Sequence, residues 1–106
     1  MCAPESGCVF VRIEQFSFKP GTEEKGIPLL REHAAFIAQS RGCARGYLAS
    51  PIHGTSFLVY SEWGSEIDLD RMEATLRSNP AASGAFFGLM GLLRSPPHVA
   101  RFQVLD

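Results

Sequence analysis

Arg12 and Glu14 stand two residues apart in the run CVFVRIEQFSF, residues 8–18, most of which is apolar. At the strand period both point to one face. Charges buried on that face must pair with each other or meet an anionic or phenolic group of a ligand, whereas an exposed pair on an edge strand would carry no chemistry. His33 falls inside the apolar stripe of the segment that follows. Imidazole exchanges its proton nearest neutral pH, so His33 is either a general base toward a phenol or a core histidine with satisfied hydrogen bonds. Trp63 ends the most regular strand pattern and either stacks on a flat aromatic ligand or fills the core. Tyr60 is a candidate to hydrogen-bond that ligand or to pack, and Phe86 is a candidate substrate contact from the last helical segment. His53 in a turn and His98 at a strand start are weaker candidates for a base.

The elements that would position these groups follow from the hydropathy pattern. Residues 8–18 alternate as a strand that is apolar on both faces, with Val9, Val11 and Ile13 on one and Phe10 and Phe16 on the other. A strand of that kind is covered on both sides. Lys19-Pro20-Gly21 breaks it, and Thr22 followed by Glu23 and Glu24 predicts an N-capped helix reaching about Ser40. Pro28 inside that span would move the helix start to about Gly26 or Ile27. Ile27, Leu29, Leu30, Ala34, Phe36 and Ile37 then share one face with His33. Cys43 to Ser50 and Thr55 to Trp63 predict a hairpin. Ser65 and Asp68 resemble a capping box, opening a short helix through Leu69, Met72 and Leu76 that Asn79-Pro80 punctuates. Pro80 begins a glycine-containing helix, and residues 98–105 predict a last strand. Gly84, Gly88 and Gly91 lack the preceding strand and the Lys-Ser/Thr of a phosphate loop; close helix packing or a flexible lid explains them.

The order is the split βαβ arrangement of an α+β, ferredoxin-like domain: a four-stranded antiparallel sheet with helices on one face. The other face, partly apolar, must meet something, and a second copy of the chain is the expected partner. The residues divide into a tail over 1–7 and a single domain over 8–106. A net charge of -1 with no basic run argues against nucleic acid. No apolar stretch approaches the roughly 18 residues that span a bilayer. The start MCAPESG has neither a basic head nor an apolar core, which predicts a cytoplasmic chain with no membrane partner. Cys2, Cys8 and Cys43 show no metal-ligand spacing, and neither a metal nor a cofactor is expected.

The run Phe18-Lys19-Pro20-Gly21, the segment Leu58-Val59-Tyr60-Ser61-Glu62-Trp63 before an acidic helix start, and Leu76-Arg77-Ser78-Asn79-Pro80 together resemble the antibiotic biosynthesis monooxygenase-like domains of the dimeric α/β-barrel superfamily. The resemblance spans roughly residues 8–104. It implies a homodimer whose sheets face each other, with a ligand pocket between each sheet and its own helices. Relatives of this type include cofactor-independent monooxygenases that oxidise polycyclic phenols to quinones, and haem-degrading enzymes. In the haem-degrading branch an Asn, a Trp and a His form the site; here those positions fall on Glu14, Trp63 and near Thr75, so two of the three are replaced. The polar strand residue of some quinone-forming relatives is Val59. The resemblance therefore implies a cofactor-free monooxygenase acting on a planar aromatic or phenolic substrate. His33 would be its base, Arg12 would stabilise the anion, and Trp63, Glu14, Tyr60 and Phe86 would contact the substrate. The alternative is a non-catalytic dimeric ligand-binding or accessory module of the same fold.

Overall fold

A sheet built around its first strand carries the molecule; the computed structural model describes residues 9–105. The expected tail, with Cys2, and Cys8 after it, lie outside the described residues. Strand β1 (Phe10–Ser17) leads into helix α1 (Glu23–Ala38), then β2 (Cys43–Ala49), β3 (Ser56–Trp63), α2 (Glu66–Ser78), α3 (Pro80–Met90) and β4 (His98–Gln103). The sheet order is β2-β3-β1-β4, and all neighbours are antiparallel. This is the ferredoxin-like α+β architecture, with the helices on one face.

Strand register decides which side chains reach the helices. Arg12 lies opposite Ser61 on one side and Arg101 on the other, and Glu14 lies opposite Val59 and Val99. All of these therefore share the helix-facing side. Phe16, Phe18, Phe57, Val59 and Trp63 from that side meet Leu30, Ala34 and Ile37 of α1 and Leu69, Met72 and Leu76 of α2 in one core. The opposite face carries Val11, Ile13, Leu58, Tyr60, Tyr47 and Phe102 without a helix over it. Tyr47 and Phe102 are about half exposed there.

Two local expectations need correction. Helix α1 does not start at Gly26 or Ile27 but runs through Pro28 from Glu23. Its first turn closes through Gly26 N–H to Thr22 O at 2.9 Å, and proline's fixed φ is itself helical, so the cost is confined to the missing N–H and crowding of the preceding turn. Thr22 precedes α1 but makes no side-chain cap. Its hydroxyl is 2.8 Å from Lys19 O and 2.9 Å from Leu92 O, tying the loop before α1 to the stretch after α3. Ser65 does cap α2, accepting from Ile67 N–H at 3.1 Å, while Asp68 pairs with Arg71. Asn79 caps α3 by accepting from Ala81 N–H at 2.9 Å, with Pro80 in the first turn. Of the three glycines in and after α3, Gly88 marks a close approach: a Cβ there would stand 3.2 Å from Leu29 Cδ1 of α1.

Candidate active site

The polar pair on β1 becomes a buried network because α1 and α2 each bring one partner to it. Glu14 is fully buried, and its Oε1 lies 2.7 Å from His33 Nε2 and 3.0 Å from Arg12 Nη1. Arg12, 4% exposed, donates its Nε–H to Glu73 Oε2 of α2 at 2.8 Å. Glu73 in turn accepts from Arg101 of β4 at 2.6 Å, and Arg101 also donates to Asp70 at 2.8 Å. The exposed-pair reading of Arg12 and Glu14 therefore does not hold. Burial would raise the Glu14 carboxyl, but the His33 hydrogen bond and the Arg12 charge outweigh it and hold Glu14 below its ordinary value. Glu73 is also buried in part, and Arg12 and Arg101 hold it below its ordinary value in the same way.

Two buried polar atoms in this network have no hydrogen-bond partner: Glu14 Oε2 and His33 Nδ1. With Glu14 ionised, Nε2 of His33 carries the hydrogen of their shared bond. A buried polar atom left unpaired is costly, and ligand-binding and catalytic sites are where that cost is tolerated. The imidazole packs against the edge of Phe16, with ring centroids 5.6 Å apart, and lies 5.2 Å from the ring of Phe86.

Beside this network is a pocket of about 500 Å³ between β1, β4, α2 and α3. Arg12, Glu14 and Glu73 form its polar wall. Leu76, Phe86, Phe87 and Val99 form the apolar one, and Arg77 stands among them. Of these apolar residues, Phe87 and Val99 are well exposed to solvent. The site thus brings together Arg12, Glu14 and Phe86 at the wall, with His33 behind Glu14 and Phe86. A carboxylate hydrogen-bonded to an imidazole is an arrangement that orients the ring.

Trp63 and Tyr60 lie elsewhere. Trp63 is fully buried in the core, its indole N–H donating to Ser61 Oγ at 2.8 Å. Tyr60 is on the helix-free face, stacked on Tyr47 and donating to Glu62 Oε2 at 2.7 Å; that hydrogen bond pushes its phenol pKa up. His53 and His98 are exposed. Cys43 is half-buried, and desolvation raises its thiol, which suppresses the thiolate a nucleophile needs. Among the described residues no cluster of His, Cys, Asp and Glu is placed to hold a metal ion. Glu73, Arg77, Phe87 and Arg101 were not foreseen as parts of the site. Glu73 had a readable signal: it follows Met72 and precedes Leu76, beside the apolar stripe of α2.

No family model and no curated protein matches the sequence. Solved structures do match. Rv0793 from Mycobacterium tuberculosis superposes with a TM-score of 0.78 at 21% identity, over 92% of this chain and 96% of that one. The chain has the fold of the antibiotic biosynthesis monooxygenase-like proteins. A structure described as an antibiotic biosynthesis monooxygenase gives a TM-score of 0.77 at 18% identity, over 92% of this chain and 99% of that one. SnoaB from Streptomyces nogalater, a cofactor-independent oxygenase, gives 0.68 at 16% identity, over 92% and 94% of the two chains.

Proposed function

We propose that the protein is a small cofactor-independent monooxygenase that acts on a planar phenol, with His33 as base and Glu14 as the group that orients it. The observation that carries this reading is the unpartnered buried oxygen Glu14 Oε2 on the wall of a pocket lined by Phe86, Phe87 and Leu76, with His33 hydrogen-bonded to Glu14 behind that wall. An acceptor lacking a donor calls for a ligand that brings a hydroxyl, and aromatic walls call for a flat apolar body. A relative in fold, SnoaB, is described as a cofactor-independent oxygenase.

In this reading the phenol donates to Glu14 Oε2 and its proton passes to the Glu14–His33 hydrogen-bonded pair, in which His33 is the base. Arg12 supplies the positive charge at the wall nearest the phenolate. The anion's charge spreads to the ring carbon opposite the oxygen, where dioxygen adds to form a C–O bond. The peroxide takes the proton back from His33, and loss of water from the C–H and O–O bonds leaves a second carbonyl. One oxygen atom ends in the quinone and one in water, with the substrate supplying the electrons.

The test is oxygen uptake with a panel of hydroxylated anthracenes and quinols, comparing the wild type with His33→Ala. Substrate-dependent uptake that falls by about a hundredfold or more in the variant is the expected result. Binding of the same compounds with no uptake above buffer would instead assign the pocket to a non-catalytic ligand-binding module.

A further inference from the structure

Arg77 lines the pocket yet forms no ion pair, while the other two arginines nearest the site, Arg12 and Arg101, each hold carboxylates. Among the described residues it is the one charged group of the lining without a counter-ion, because Glu14 and Glu73 are both committed to Arg12. Arg77 follows Glu73 by four residues on α2, so it stands about 6 Å, just over one helical turn, further along the helix from Glu73. Its place in the last turn of α2 favours a cation there through the helix dipole, but that interaction is non-directional and leaves the guanidinium fork open. Exposed Phe87, on the same rim, offers an aromatic surface beside it.

We infer that Arg77 is a specificity residue that holds a carboxylate on the substrate, at the end of the aromatic body remote from the hydroxyl taken by Glu14 and His33. The substrate class narrows from planar phenols to planar phenols that carry a carboxylate, and this inference rests on the reading of the pocket given above. A guanidinium binds a carboxylate through two parallel hydrogen bonds, which a lysine ammonium does not reproduce. At a solvent-facing rim the interaction weakens with salt.

The test compares two probes, 2-naphthol and 6-hydroxy-2-naphthoate, by fluorescence titration at low and high salt. The wild type should bind the carboxylated probe about tenfold more tightly than 2-naphthol at low salt, and less selectively at high salt. Arg77→Gln should abolish the preference, and Arg77→Lys should restore only part of it. Arg31→Gln, on the exposed side of α1, should keep the full preference. Equal wild-type affinity for the two probes, or a preference that survives Arg77→Gln, would overturn the assignment of Arg77 while leaving the phenol site standing. Failure of both probes to bind would overturn the reading of the pocket and this inference with it.

Discussion

Replacing Glu14 by Gln should destabilise the protein in a way that depends on pH, and the structure fixes the direction. The amide is isosteric but neutral, so Arg12 loses one of its two carboxylates and His33 Nε2 loses its anionic acceptor. Removing one partner of a buried ion pair costs about 3–5 kcal/mol when the other is left alone. Arg12 keeps Glu73, and Gln can still accept a hydrogen bond, so about 2 kcal/mol is expected at neutral pH. The folded state holds the Glu14 carboxyl below its ordinary value of 4.5. A carboxyl of that kind contributes stability that is present above the unfolded value and lost as pH falls through the folded one. The difference between wild type and variant should therefore be largest near pH 7 and shrink as pH falls below about 4.5. Glu73, also held low, is present in both proteins and largely cancels from the comparison. Urea denaturation at a series of pH values measures this directly. A difference that stays constant from neutral to acid pH would refute the claim that Arg12 and His33 keep Glu14 ionised.

Other outcomes follow from the same contacts. Trp63→Phe should lose about 2 kcal/mol in urea denaturation, through lost volume in the core, yet change affinity for an aromatic probe less than about twofold. Gly26→Ala should destabilise despite alanine's better helix propensity, because its Cβ would collide with the Phe18 ring, whereas Gly84→Ala, with open space around it, should stabilise by about 0.5–1 kcal/mol; thermal melts read both. The helix-free sheet face should pair with a second copy, so light scattering should give twice the 11.6 kDa chain mass and Ile13→Glu should return the monomer.

The fold was legible because its signals are local and periodic. Alternation in β1 and β3, the asparagine before α3 and the proline that opens it, and the helical spacing of Leu30, Ala34 and Ile37 each named an element that formed. Pro28 misled because the rule that proline ends a helix weighs one lost hydrogen bond, and it does not include the packing that holds Gly26 against Phe18. The site was legible only in part. Arg12 and Glu14 could be placed on one face from sequence, and His33 on an apolar stripe, but their meeting depends on how α1 lies across β1. Glu73 and Arg101 joined because α2 and β4 come together from distant parts of the chain. Trp63 shows the opposite case: an aromatic at the end of a strand is attractive as a ligand contact, and the core took it.

The central claim is that a phenol bound beside Glu14 gives its proton to His33. The direct measurement is the absorption spectrum of 2-naphthol bound to the protein, titrated from about pH 6 to pH 10. The naphtholate band of the bound probe should appear at least about one pH unit below that of the free probe, and His33→Ala should remove this shift while the probe still binds. A bound probe that ionises at the same pH as the free one, or a shift that persists without His33, would contradict it.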